Sequence, residues 1–335
     1  MCRIRKHNVI TAGLSLLIIL SECSGTQTAG KSSSDKPVLM PEIEGQWWQV
    51  AGSPDLGELT SRKQQPVDFG IWQAADGTWQ LWSCVRKTKC GGNTRLFYRW
   101  EGKNLTDINW KPMGIAMQAD TALGEQKGGL QAPHVIKVDD IYYMFYGDWN
   151  RICLAKSDDG KTFTRVLNEK GQPDLFSGPY PNTRDPMVLV LGNIYYCYYT
   201  GHTTNEGADF CRTSQDMRNW SKPIMVAAGG RAGGTRYSAE CPHVVYRQDT
   251  GLYYLFRTQK YGRDNISSIY ASADLLNFGV NDDRYFLGTL AAAAPELVKY
   301  NGQYYIAALL PGLKGIRVAK LKWAEVGKRR KEEGI

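Results

Sequence analysis

The sequence predicts an all-β chain folded as a five-bladed β-propeller. The first observation behind this is a unit that occurs five times: a polar anchor, an apolar run, a tight turn, then a second run rich in aromatics. The anchors are Asp68, His134, Asp185, Glu240 and Glu296, spaced 66, 51, 55 and 56 residues apart. A period of about 50–60 residues built from short strands fits one four-stranded blade per repeat. The second observation is an echo of Asp, then Asn two or three residues later, followed by an aromatic. It runs through Asp107–Trp110, Asp216–Trp220 and Asp274–Phe278, and Ser157–Phe163 fills the same slot in its repeat. These read as the outer turns of successive blades, each aromatic pinning its turn to the sheet. The third observation is that helical periodicity is confined to Lys320–Lys331.

Taken in order, Met1–Glu22 reads as an export signal. Arg3, Arg5 and Lys6 precede the 12-residue apolar run Val9–Leu20, too short for a spanning helix. Leu20-Ser21-Glu22-Cys23 partly resembles a lipobox, from which Glu22 departs, so lipidation of Cys23 and simple secretion both stay open. The chain is expected outside the cytoplasm: periplasmic, extracellular, or membrane-attached only through a lipidated Cys23. Residues 23–36, rich in Ser, Gly, Thr and Lys, read as a flexible tether. Residues 37–326 form the propeller, and 327–335 a charged, solvated tail.

Within the propeller, Pro66–Gln73 and Thr78–Trp82 flank the turn Asp76-Gly77, and Leu297–Tyr300 and Gln303–Ala307 flank Asn301-Gly302. Asp-Gly and Asn-Gly between apolar runs are strong hairpin signals. The intervening repeats turn at Asp139-Asp140, Gly192-Asn193 and Asp249–Gly251. Gly229–Gly234 is Gly-rich but precedes a strand, whereas a phosphate loop needs a helix N-terminus. It reads as a mobile loop beside the site.

Net charge is +8, and +6 once residues 1–22 are removed. The basic residues are scattered, with no RNA-type aromatic motif, which argues against a nucleic-acid partner; a polyanionic glycan stays open. Cys84 with Cys90, and Cys197 with Cys211, are candidate disulfides in an exported chain; the alternative is that they are small buried apolar residues. No CxxC pair with metal spacing occurs, and among the four histidines none sits in an HExxH array. No metal ligand set and no required cofactor is read.

Acids recurring where inner strands enter a propeller channel carry the functional reading. Converging carboxylates repel and are costly to desolvate unless a ligand, cation or proton relieves them. Glycoside hydrolysis uses such a pair: a protonated carboxyl at the leaving oxygen and a carboxylate across the sugar. Glu240 is the candidate general acid. Asp185 would orient the sugar and raise the pKa of Glu240. Asp68 would be base or nucleophile, with Asp76 or Asp120 as substitutes. His134, Trp149, Arg184, Arg236 and Arg257 are candidate substrate-binding residues. His134 could also help hold a structural Ca2+ in the central channel, and it is equally compatible with a hydrogen-bonded inner-strand histidine; Glu296 reads as a channel-lining acid.

These motifs resemble the five-bladed glycosidases of glycoside hydrolase family 43 and its relatives of family 32. Gln131-Ala132-Pro133-His134-Val135, followed by Tyr142-Tyr143, is similar to the Trp-Ala-Pro-Asp/His-Val…Tyr-Tyr pattern of family 43. Arg184-Asp185-Pro186 resembles the Arg-Asp-Pro of family 32 and the Asp-Pro of family 43. Glu240-Cys241 resembles the Glu-Cys of family 32, and Glu240 with Pro242-His243 is similar to the Glu-Gly-Pro-His of family 43. Val67-Asp68-Phe69-Gly70 departs from Asn-Asp-Pro-Asn-Gly of family 32, and no β-sandwich follows Val326. Both points favour a family-43-like enzyme. The resemblance implies a monomeric glycosidase of oligo- or polysaccharides, arabinofuranosidase- or xylosidase-like, with inversion implied by family 43 and retention by family 32. The alternatives are a family-32-like β-fructosidase and a non-catalytic glycan-binding propeller.

Overall fold

The structure, a computed structural model, describes residues 37–180, 182–203 and 205–326. The expected export signal, tether and charged tail lie outside them. Five antiparallel sheets form the predicted blades. Blade 1 is β2 (Gln65–Gln73), β3 (Trp79–Arg86), β4 (Leu96–Gly102) and β5 (Lys111–Met117). Blade 2 is β6 (Leu130–Val138), β7 (Ile141–Asp148), β8 (Arg151–Ser157) and β10 (Asp174–Ser177), with the short β9 (Thr164–Arg165) also on β8. Blade 3 is β11 (Arg184–Leu191), β12 (Ile194–His202), β13 (Gly207–Ser214) and β14 (Ile224–Ala228). Blade 4 is β15 (Glu240–Arg247), β16 (Leu252–Lys260), β17 (Ile266–Ser272) and β18 (Phe286–Leu290).

Blade 5 closes the ring with both ends of the domain. Its order is β19 (Glu296–Tyr300), β20 (Gln303–Leu309), β21 (Gly315–Glu325) and β1 (Leu39–Gly52). The chain's first strand is therefore the outer edge of its last blade. The helical periodicity in Lys320–Lys331 is overridden there: residues through Glu325 are strand, pinned between β1 and β20. Long-range sheet pairing outweighs weak local propensity.

Middle strands such as β3 are buried along almost their whole length, because neighbouring blades cover both faces. The core accordingly lies between blades. Phe145 and Leu154 of blade 2 pack with Val188 and Tyr199 of blade 3, and Tyr254 and Phe256 of blade 4 with Ile306 and Leu321 of blade 5. Trp110 pins its own turn, its indole N–H donating to Asp107 O at 2.9 Å, and the aromatics of the outer turns also cross between blades. Phe163 of blade 2 meets Trp72 and Trp82 of blade 1, and Trp220 of blade 3 meets Phe145 and Phe176 of blade 2. Phe278 of blade 4 meets Tyr198 of blade 3, and its N–H donates to Val226 O. Trp110 of blade 1 donates its N–H to Val50 O in β1.

Neither proposed disulfide is present, and all six described cysteines are free thiols. Cys211 is opposite Tyr198 and Cys197 opposite Arg212, so the two side chains point to opposite faces of blade 3. One joins the core against blade 2, the other the core against blade 4. Cys84 is buried in β3, while the thiol of Cys90 donates to its own loop at Arg95 O.

The inner strands share a backbone feature that sets the site. Asp68, Ala132, Asp185, Cys241 and Ala294, one per blade, have φ of 31°, 41°, 54°, 49° and 48°. In the first four blades the ladder slips at this point, giving a bulge. Pro133, Pro186, Pro242 and Pro295 follow in four of the five, as bulges permit. Left-handed backbone at a non-glycine residue costs on the order of 1–3 kcal/mol. Relief of this strain is testable against an equally buried alanine. Ala307→Gly in β20 loses a methyl group and chain stiffness, about 1.5 kcal/mol together. Ala294→Gly loses the same but relieves roughly 1–2 kcal/mol of left-handed strain. Urea unfolding is expected to show a near-neutral Ala294→Gly beside a destabilised Ala307→Gly; equal losses would show that the left-handed backbone at Ala294 is unstrained.

Candidate active site

The bulges sort the inner-strand side chains into three levels. The residue before each bulge, namely Val67, Gln131, Arg184 and Glu240 in blades 1 to 4, lines an open pocket of about 550 Å³. At the bulge itself are Asp68, Asp185 and Cys241, in the throat below. Two residues further on come His134, His243 and Glu296, inside the channel. The five anchors aligned from sequence thus occupy three different levels. A bulge adds one residue, and a one-residue slip moves a side chain to the opposite face.

At the throat, one carboxylate oxygen each from Asp68 and Asp185 and the Cys241 sulfur lie within 4.8 Å of one another. Burial and the charges of Asp185, Asp68 and Glu240 push the Cys241 thiol well above its usual range. It therefore stays protonated and donates to Asp68 Oδ1 at 3.4 Å. The Tyr261 hydroxyl, just past β16, also donates to Asp68 Oδ1 (3.4 Å) and lies 3.2 Å from the Cys241 sulfur. The Cys241 N–H donates to Asp185 Oδ2 at 3.3 Å.

Arg184 joins the other two acids. Its Nε lies 3.6 Å from Asp185 Oδ2, and its Nη2 is paired with Glu240 Oε1. Nη2 is also 2.9 Å from His202 Nε2. A guanidinium only donates, so Nε2 accepts and the imidazole proton sits on Nδ1. Burial, then Arg184 and Arg236, lower His202 to about 4, keeping it neutral near pH 7.

All three carboxyls are shifted upward. Burial raises Asp68, and the charge of Glu240 adds to it against Arg86. Burial raises Asp185 to about 6, with Asp68 adding and Arg184 opposing. Burial raises Glu240 and outweighs Arg184, while Asp185 pushes the same way as burial. Three mutually repelling acids in one buried cluster titrate as a unit and lose their protons at higher pH than isolated carboxyls do.

Of the residues anticipated from sequence, Asp68, Glu240, Trp149, Arg184 and Arg236 line the pocket, with Asp185 directly beneath. Arg257 does not meet substrate. It is wholly buried, donating to Ser238 O (2.9 Å) and to Gly229 O and Gly233 O (both 3.4 Å), with Asp209 at 3.9 Å. The Gly-rich segment read as a mobile loop is thus tied down from below. His134 also misses the pocket and faces the channel acid, Glu296, at 3.7 Å. Asp76 is exposed in the β2–β3 turn, paired with Lys161, and Asp120 caps a short 3₁₀ turn, so neither substitutes for Asp68.

Arg86, Arg95, Gln131, His202, Tyr237, Gln259, Lys260 and Tyr261 also line the pocket and escaped the sequence reading. Apart from Gln131, which lies in the repeat beside His134, they come from strand ends and loops outside the repeat, so the period carries no signal for them. The position of Arg184-Asp185 could have flagged His202, which ends the strand paired with it.

In the channel, His243 Nε2 accepts the Leu297 N–H at 3.1 Å, so its proton is on Nδ1, 3.5 Å from Glu296 Oε2. Burial acts to raise the Glu296 carboxyl, but His243 and His134 outweigh it and hold it at about 2. This level offers one carboxylate and two imidazoles. Ca2+ takes 6–8 oxygens, so an ion here would complete its shell with water.

Fold and site together define a propeller of the glycosidase class, with carboxylates from three blades meeting under one pocket. The chain matches Glycosyl hydrolases family 32 N-terminal domain over residues 74–304 and belongs to that family. Asp185 and Glu240 fall inside the matched span, and Asp68 precedes it. The solved neighbours come from families 43 and 32 alike. A thermostable family-43 glycoside hydrolase superposes with TM-score 0.59 at 15% identity, over 78% of this chain and 89% of that one. The endo-arabinase from Bacteroides thetaiotaomicron gives 0.57 at 15%, over 81% and 97%. The family 32 beta-fructofuranosidase of Bombyx mori gives 0.58 at 15%, over 83% and 62%. Among curated proteins, a 1,2-beta-oligomannan phosphorylase from Thermoanaerobacter sp. is 24% identical over 204 residues, 58% of this chain. The match spans 60% of that protein's length.

The channel acid gives a stability test. Its carboxyl is held below the ordinary value of 4.5, so its contribution is present above pH 4.5 and is lost as pH falls toward 2. Glu296→Gln is expected to cost on the order of 3 kcal/mol at pH 7. The gap from wild type should narrow steadily below pH 4.5 in thermal melts. A gap independent of pH would show that the channel pairing carries no charge.

Proposed function

We propose that this chain is a glycoside hydrolase in which Glu240 protonates the leaving oxygen and Asp68 works from the opposite face of the sugar. The observation that carries this reading is the convergence of Asp68, Asp185 and Glu240 beneath one open pocket, each held above its ordinary pKa. Burial, opposed by Arg184 and helped by the neighbouring charge of Asp185, raises the Glu240 carboxyl, the direction a general acid needs. Asp68 keeps an edge on the pocket, held in place by the Cys241 thiol and the Tyr261 hydroxyl. Asp185 sits deeper and acts through Glu240 and Arg184, positioning rather than reacting.

Membership of family 32 favours the retaining variant. There Asp68 displaces the leaving group to form a glycosyl ester, and water, deprotonated by Glu240, then breaks that ester. Furanosides, xylosides and fructosides are the substrates to try first, given the solved neighbours. Export through residues 1–22 fits a glycan met outside the cytoplasm.

The test is hydrolysis by the mature chain of arabinofuranosides, xylosides, galactosides, fructosides and mannosides, with and without inorganic phosphate because a curated relative is a phosphorylase. Glu240→Gln is expected to lower kcat on the order of 10²–10⁴-fold. Asp68→Asn should lower it at least as far, and the first-formed sugar should keep its anomeric configuration. Turnover untouched by Glu240→Gln would remove the acid assignment.

A further inference from the structure

The pocket that admits the sugar carries more positive charge than its acids use. Arg86, Arg95, Arg184, Arg236 and Lys260 line it, against Asp68 and Glu240. Arg184 is committed to Glu240 and Asp185. Lys260 lies 3.8 Å from Asp264, both more than half exposed. Arg86, Arg95 and Arg236 form no ion pair among the described residues. Arg86 uses Nε on Gln65 Oε1 at 3.0 Å. Arg95 uses Nη1 on Asn93 O at 3.1 Å, and its buried Nε has no hydrogen-bond partner among the described residues. The Arg95 guanidinium is held over the Trp149 ring, 4.7 Å from its centroid.

A neutral sugar does not require this. One arginine serves its hydroxyls, and further unpaired cations beside it repel one another. A guanidinium fixed flat on an indole has lost side-chain freedom in advance, which favours capture of a planar or tetrahedral oxyanion by its fork. Arg86 and Arg95 also lie on the Asp68 side, where their charges act on that carboxyl.

We infer that Arg86 and Arg95, with Arg236 across the pocket, form an oxyanion seat, so that the enzyme works on a sugar accompanied by a negatively charged group. This rests on the hydrolase reading of the same pocket and names its substrate class. The oxyanion has two sources with shared chemistry: a carboxylate or sulfate carried by the glycan itself, or free inorganic phosphate entering beside it.

The experiment pairs neutral aryl glycosides with their uronic-acid or sulfated counterparts, each with and without inorganic phosphate. Arg86→Gln, which keeps an amide for Gln65, and Arg95→Gln are run beside Arg86→Lys and wild type. Binding of inorganic phosphate and of glucuronate to the mature chain is followed by calorimetry. The expected result is a preference of about tenfold or more in kcat/KM for the acidic member, or neutral turnover that depends on phosphate. The first assigns the charge to the glycan; the second assigns it to phosphate, which then takes the glycosyl group in place of water, releases the aglycone and replaces the hydrolase reading with phosphorolysis. In either case both Gln variants lose the effect and Arg86→Lys keeps part of it. Neutral glycosides turned over without phosphate, indifferently to both Gln variants, would overturn the inference and leave the hydrolase reading intact. Oxyanion binding that the Gln variants abolish, in a chain that turns over no glycoside, would sustain the seat while removing the hydrolase reading. Neither turnover nor oxyanion binding would overturn both.

Discussion

The structure depends on a backbone constraint repeated once per blade. Five non-glycine residues, Asp68, Ala132, Asp185, Cys241 and Ala294, hold left-handed backbone where the inner strand enters the channel. The resulting bulge turns the preceding residue toward the pocket, places its own side chain in the throat and sends the second residue beyond it into the channel. Aspartate bears this conformation better than most residues, and two of the five positions are aspartates. The remaining blades use alanine and cysteine there. Two side chains small enough to leave room and one thiol that donates to Asp68 complete the throat. Strain at a functional site persists only where the surroundings over-determine it. Here the ring of inner strands, closed by β1 on β21, supplies that restraint.

The second organising interaction is electrostatic and centres on Arg184. It touches Asp185, Glu240 and His202, so one guanidinium spans two of the three acids and fixes the tautomer of a neutral imidazole. One positive charge cannot balance three carboxylates in a buried cluster, and the shortfall appears as a shared proton. Below them, Glu296 faces the opposite situation: two imidazoles surround one acid, and it is held ionised. The same channel thus holds acids of opposite character two residues apart along the inner strands, separated by the bulge.

The fold was legible because it repeats. Hairpins between Asp-Gly or Asn-Gly turns, an even spacing and the outer-turn echo all located strands correctly. Closure was not legible, since β1 pairs with a strand far along the chain and carries no copy of the repeat. The three acids were legible by their place at strand entries, yet their levels were not. His134, Glu240 and Glu296 share a period with Asp68 and Asp185, but a bulge displaces side chains in a way spacing alone does not record. Arg257 looked like a binder because it follows the site in sequence. A fully buried guanidinium under three backbone carbonyls is a packing decision, invisible without the loop it holds. Tyr261, Arg86 and Arg95 reach the pocket from strand ends outside the repeat.

The central claim is that Glu240 keeps its proton to higher pH than an ordinary glutamate because it is buried beside the charge of Asp185. Carbon NMR of the carboxyl groups, with Glu240 assigned through Glu240→Gln, tests this directly and needs no substrate. The account predicts that Glu240 titrates above the ordinary 4.5 and moves downward in Asp185→Asn. A Glu240 that titrates as an ordinary surface carboxyl, unmoved by Asp185→Asn, would contradict it.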